Sequence, residues 1–268
     1  MNTNIIYNED NRITIKERIE DNSIDCILTS PFYNTSKKAG TKGTLLNVAP
    51  DSKYYPMMKY DVFVDNMSNS DYAEYCKELF CGFDRILKPN GSVLWNMSYG
   101  SENTECLFFT IAKLLAETNF TIADIICWKK KSAMPQNTSK NRLTRIWEMI
   151  FVFCRKGEEK TFFSNKRITS VRESGQAMYE NIFNFIEAKN NDGSCPLNKA
   201  TFSSDLVNKL LSIYCPKNGI VYDPFMGTGT TAVGCKQMGI QFIGSELSKQ
   251  QCEWAEDRLQ KVIEEKND

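Results

Sequence analysis

Histidine is absent from all 268 residues. Without an imidazole no Ser-His-Asp relay can be assembled, so triad hydrolysis is excluded. There are ten cysteines, but no C-x-x-C pair. With no histidine to complete a ligand set, that spacing argues against a zinc finger and offers no metal site. Cys26, Cys127 and Cys154 lie in apolar runs and read as reduced core residues. Neither sign of charge is in surplus, since 33 basic residues face 33 acidic ones. Any face for a polyanion must therefore come from local clustering. No apolar run approaches the ~20 residues of a membrane span. The Asn-rich N-terminus lacks the apolar core of a signal peptide. The chain reads as cytoplasmic, with no membrane partner.

Short apolar runs alternate with amphipathic stretches. The runs 24–28, 92–95, 125–128, 149–153, 220–222 and 241–243 read as strands covered on both faces. Tyr72, Tyr75, Leu79, Phe83, Ile86 and Leu87 recur at helical spacing, with Ser70 as N-cap and Pro89-Asn90-Gly91 as the stop. Leu206, Val207, Leu210 and Leu211 mark a second helix, opened by Ser203 or Ser204. Ser248 and Gln251 form a capping box before a third. This alternation predicts an α/β domain with a mostly parallel sheet. Two stretches break it. Residues 33–69 are polar and rich in Gly, Pro, Asn and Lys, a loop of the kind that is functional or mobile. Residues 155–195 read as an insert or small subdomain.

Two stretches carry chemistry. The first runs from Gly219 through Asp223, Phe225, Gly227, Thr228, Gly229 and Thr230. A short strand enters a two-glycine turn, and a helix follows. Glycine permits the tight turn and a close ligand approach, and the helix start offers free N–H groups. The next strand ends at Glu246-Leu247, where an acid can accept hydrogen bonds from both hydroxyls of a ribose. A nucleoside-containing cofactor is the shared inference, with an ordinary tight turn as the alternative. The unit sits near the C-terminus, whereas a nicotinamide dehydrogenase places it first. The second stretch is Thr29-Ser30-Pro31-Phe32-Tyr33, where a strand gives way to a loop. Its hydroxyl, carbonyls and aromatic rings suit a flipped-out base. The alternative is a packing turn.

Together the two stretches resemble the amino-group DNA methyltransferases, which carry D/N/S-P-P-Y/F and F-x-G-x-G motifs. Here these are Ser30-Pro31-Phe32 and Phe225-x-Gly227-x-Gly229, in the permuted order of the family's beta group. Asp21 to Asp25, Leu87 to Ser92 and Trp147 to Phe153 extend the likeness over nearly the whole chain. The sequence departs from the family in two places. It has one proline where two are usual. It has Asn198-Lys199-Ala200-Thr201-Phe202 where H-P-A-x-F is usual.

The resemblance implies a Rossmann-like, circularly permuted fold with a mostly parallel seven-stranded sheet. It divides the chain into a first catalytic part (1–154), a target-recognition insert (155–195) and a second catalytic part (196–268). The implied cofactor is S-adenosyl-L-methionine. Its contacts would include Glu246 and Leu247 at the ribose, Asp10 or Asn11 near the adenine, and Asp223 at the methionine amino group. Thr29, Phe202, Phe225, Gly227, Thr228, Gly229 and Thr230 would complete them. Ser30 and Pro31 would accept hydrogen bonds from the base's amino group, which restores the nitrogen lone pair for attack. Either Phe32 or Tyr33 would stack on the ring, with Tyr33 favoured by register. Serine in the first motif position is associated with cytosine N4, and adenine N6 is the alternative. The implied partner is double-stranded DNA, met by Lys37, Lys38, Lys42, Lys129, Lys130, Arg142 and Arg145. Homodimerisation and a cognate restriction endonuclease fit the same group. RNA or protein methylation, and nicotinamide-dependent oxidoreduction, stay open as other readings.

Overall fold

The computed structural model describes residues 1–34, 67–98, 104–132, 140–141, 143–193, 198 and 201–267. The chain runs β1 (Ile5–Tyr7), α1 (Asn11–Arg18), β2 (Ile24–Thr29), α2 (Asn69–Ile86), β3 (Leu87–Met97), α3 (Thr104–Glu117), β4 (Phe120–Lys130) and β5 (Trp147–Arg155). It continues through β6 (Ile168–Val171), β7 (Ala177–Tyr179), β8 (Phe185–Ala188), α4 (Ser204–Tyr214), β9 (Ile220–Asp223), α5 (Thr230–Met238), β10 (Gln241–Ser245) and α6 (Lys249–Asn267).

Among the described residues, eight strands form one sheet in the order β1-β10-β9-β2-β3-β5-β4-β8. Neighbours pair in parallel except β5, which runs against both β3 and β4. The predicted mostly parallel α/β sheet is therefore present, with an eighth strand at one edge. That strand, β8, pairs in parallel with β4. It comes from the stretch read as an insert, so 155–195 does not stand apart from the main sheet. Among the described residues, β6 and β7 form a separate two-stranded sheet.

Successive strand residues point to opposite faces, and the core divides accordingly. Ile27, Val93, Trp95, Phe151, Phe153, Tyr222 and Ile243 face α2 and α3. Cys26, Leu28, Leu94, Ile150, Val152, Val221 and Phe242 face α4 and α5. This double burial is why the runs read as continuous apolar strands. The turn residues Pro89-Asn90-Gly91 fall inside β3, where Asn90 has φ 64° and the register against β2 shifts. Helix α2 is capped by Ser68, two residues before the expected Ser70, because the Ser68 hydroxyl accepts from the Asp71 N–H. Ser203 caps α4, and the Ser248 hydroxyl accepts from the Gln251 N–H as the capping box predicts. Helices α1 and α3 and the short strand β1 went unread. The stretches of β1 and α1 are brief or polar, and tertiary packing decides them, whereas α3 is a fourteen-residue apolar stretch with Cys106, Leu107, Ile111 and Leu114 at helical spacing.

Phe80 centres the larger core. Its ring lies 5.0–5.3 Å from those of Phe83, Trp95, Phe120 and Phe153. Removing it leaves a cavity among groups from three strands and a helix. Phe80→Ala should lower the unfolding free energy by about 3–5 kcal/mol, and Phe80→Leu by less. Urea denaturation followed by circular dichroism checks this, and equal losses for both variants would contradict it.

Candidate active site

Among the described residues, seven parallel strands end at one edge of the sheet, and loops from four of them build a cavity of about 260 Å³. Its lining includes Glu9 to Arg12 after β1, Ser30 to Tyr33 after β2, Phe225 and Gly227 after β9, and Glu246 and Leu247 after β10. The chain crosses to opposite sides from β9 and β2, so the cavity opens where the strand order reverses. Open α/β sheets bind ligands at such a point.

The glycine loop is shaped by backbone demands. Gly227 and Gly229 have φ of 55° and 82°, a left-handed region that side-chain-bearing residues avoid. A Cβ on Gly229 would also meet the Ala255 Cβ at 2.6 Å, so this glycine lets α5 and α6 approach. Glu246 closes the loop from the neighbouring strand. Its carboxylate accepts from the Gly227 N–H and the Ser248 N–H, each at 2.8 Å. Asn8 donates to the carbonyls of Glu246 and Leu247, both at 2.9 Å, and fixes their backbone.

On the opposite motif, Phe32 is a core residue. Its ring packs on Tyr72, Tyr75 and Phe225 at 5.1, 5.7 and 5.9 Å. Tyr33 is only half-buried, and its hydroxyl lies 2.7 Å from the Ser30 hydroxyl. Asn96, near the end of β3, donates to Tyr33 at 3.0 Å and to Ser30 at 3.3 Å. It also donates to Glu148 at 3.1 Å, and Glu148 pairs with Lys130 at 2.5 Å. Asn96 and Glu148 were missed in the sequence. Glu148 lies within a stretch that resembles the family, but nothing local marks it as part of a site.

Several expected contacts lie elsewhere. Asp223, Thr29, Thr228, Gly229, Thr230 and Phe202 are buried and do not line the cavity. Asp223 instead knots the site from beneath. It accepts from the Thr29 hydroxyl (2.6 Å), the Thr231 hydroxyl (2.6 Å) and the Phe225 N–H (2.9 Å). Asp10 lines the cavity but caps α1 and holds Arg12 through both carboxylate oxygens. That bond draws its carboxyl below the usual range. Asn11 is buried, with its amide on the Tyr75 hydroxyl and the Pro224 carbonyl. Asn198 and Gln251, joined at 3.1 Å, are additional lining groups. Among the basic candidates, Lys129 pairs with Glu187 and Lys130 with Glu148. Arg145 is half-buried. Lys37, Lys38, Lys42 and Arg142 lie outside the described residues.

Burial pushes the Asp223 carboxyl up to about 6 from its ordinary 3.8. A carboxyl raised on folding favours the folded state below its unfolded value, and that advantage is lost as pH rises through the folded one. In the ligand-free protein this group should therefore cost about 3 kcal/mol of stability between pH 4 and pH values above 6. Asp223→Asn should remove that component of the slope. Urea unfolding across this range checks it, and identical slopes in the two proteins would refute it.

A family model described as DNA methylase matches residues 24–257. The orphan methyltransferase M.BamHII of Bacillus amyloliquefaciens is 27% identical over 283 residues, covering 93% of each chain. The type II methyltransferase M.BglII of Bacillus subtilis is 23% identical, covering 98% of this chain and 71% of its own. Among solved structures, the PvuII DNA methyltransferase (cytosine-N4-specific) superposes with a TM-score of 0.66. It is 16% identical and covers 97% of this chain and 89% of its own. The M1.HpyAVI-SAM complex gives 0.61 at 22% identity, covering 95% and 98%. These two share the fold. The model match spans most of the sequence, and the chain belongs to the N6/N4 DNA methylase family.

Proposed function

We propose that this protein transfers a methyl group from S-adenosylmethionine to the N4 amino group of a cytosine flipped out of duplex DNA. The observation that carries the reading is one shared cavity. Ser30 to Tyr33 line it together with Phe225, Gly227 and Glu246. A base amine and a nucleoside cofactor would thus meet in one enclosure.

The residues present suit such a cofactor. Glu246 lines the cavity, and a carboxylate there is an acceptor suited to ribose hydroxyls. Gly227, which carries no side chain, lines the same wall. When bound, the cofactor supplies a methyl group activated on a sulfonium sulfur. The chain's task is positioning. Ser30 accepts a hydrogen bond from the exocyclic amine and draws its nitrogen out of conjugation with the ring. Tyr33 takes the stacking role, because Phe32 is buried among three other rings. No covalent adduct with the base is needed, so none of the cysteines acts as a nucleophile. Cytosine is favoured over adenine by Ser30, a neutral hydroxyl in the first motif position. The stretch 155–195 carries target recognition, and strand β6 within it is exposed.

Mass spectrometry of digested DNA from expressing cells tests the product. N4-methylcytosine is expected. N6-methyladenine would overturn the choice of base, and neither product would overturn the reaction. Ser30→Ala should lower kcat by at least 100-fold while S-adenosylhomocysteine affinity changes less than threefold, measured by labelled-methyl transfer and calorimetry. Glu246→Ala should weaken that affinity by at least tenfold, since it loses charge-assisted bonds to the ribose and unlatches the Gly227 amide.

A further inference from the structure

We infer that Glu148, acting through Tyr33 and Asn96, is a positioning residue that sets the direction of the Ser30 hydroxyl. Ser30 has to accept from an amino group, yet a serine hydroxyl can equally well donate. Something must engage its proton elsewhere. The groups around it do so in a single sense.

The chain of contacts starts at Lys130, which holds one oxygen of Glu148 at 2.5 Å. Glu148 is buried, with 7% of its surface exposed, and a buried carboxylate of this kind is stable when paired. Its other oxygen, Oε2, faces Asn96 at 3.1 Å and Tyr33 at 3.5 Å. A carboxylate only accepts, so both neighbours must donate to it. That requirement fixes the Asn96 amide with Nδ2 towards the cluster. Its Oδ1 is turned away, buried and without a hydrogen-bond partner. The requirement also commits the Tyr33 proton to Glu148. The Tyr33 oxygen is then left to accept, and the hydroxyl 2.7 Å away is Ser30. Ser30 therefore donates to Tyr33 and turns a lone pair to the cavity. Asn96 reinforces the same sense, with Nδ2 at 3.0 Å from Tyr33 and 3.3 Å from Ser30. A serine oriented in this way accepts from an amino group and rejects an oxo group in its place, since two acceptors would face each other.

This inference rests on the function proposed above. Glu148→Gln tests it at nearly constant shape. The new amide turns its oxygen to Lys130 and its NH₂ to Tyr33, so the tyrosine must accept and the direction of the chain reverses. Tyr33→Phe keeps the ring and removes the link. Each variant should lower kcat at least tenfold on the DNA methylated by the wild type. KM for DNA and S-adenosylhomocysteine affinity should change less than threefold. The double variant should be within threefold of the slower single one, because both act on Ser30 through one chain. A loss of less than tenfold in either single variant would overturn the inference, as would multiplying losses in the double. If Glu148→Gln fails to fold, the half-buried Tyr33→Phe alone decides by the same tenfold threshold. Inactivity of Ser30→Ala beside full activity of Glu148→Gln would sink the inference and leave the function standing. A wild type inert on all DNA would sink both.

Discussion

The Asp223 carboxylate is the knot on which the site depends. It sits at the end of β9, fully inside the protein, and accepts from β2 through Thr29, from α5 through Thr231 and from its own turn through the Phe225 N–H. Two stretches nearly two hundred residues apart in sequence are thereby held at one depth. A buried carboxyl is costly unless its oxygens are satisfied. Here three donors satisfy it, and burial still raises it to about 6. The group that a reading of strand ends assigns to the ligand is instead used to bring the Ser30 segment and the glycine loop together.

Strand direction explains how the rest of the site is gathered. Parallel strands deliver their C-terminal ends to one edge, so Asp10, Ser30, Asn96, Phe225 and Glu246 arrive there from separate parts of the chain. Strand β5 runs the other way, and it is the start of that strand which reaches the same edge. Ile150 pairs with Asn96 and Glu148 with Trp128. One reversed strand thus carries an acidic residue to the hydroxyls of Ser30 and Tyr33, where a parallel strand would have placed it at the far end of the sheet.

Charge is arranged by the same geometry. The chain has no net surplus, and two of its clustered lysines are engaged internally. Lys129 binds Glu187 on β8, and Lys130 binds Glu148 on β5. Both lysines lie at the end of β4, between two strands that each present a glutamate. A basic run that looks like a phosphate-binding face in one dimension is largely a set of ties between strands in three.

The sequence by itself determined the layers, the direction of most strands and the two motif stretches. Double-sided burial leaves continuous apolar runs, caps and turns punctuate them, and glycines at φ near 55° and 82° leave no substitute. Hence the placement of Ser30, Tyr33, Gly227 and Glu246 in one cavity was legible. What only the tertiary structure decided are the pairings between distant polar groups. Nothing within a few residues of Asp223 shows that Thr29 will meet it. Nothing near Glu148 shows that it will face Tyr33. The eighth strand was hidden for the same reason, since Phe185 to Ala188 is short and half-exposed and becomes a strand only by pairing with β4. Local pattern records which face of an element is apolar. It does not record which polar atoms meet across the sheet, because their spacing is set by register and strand direction rather than by distance along the chain.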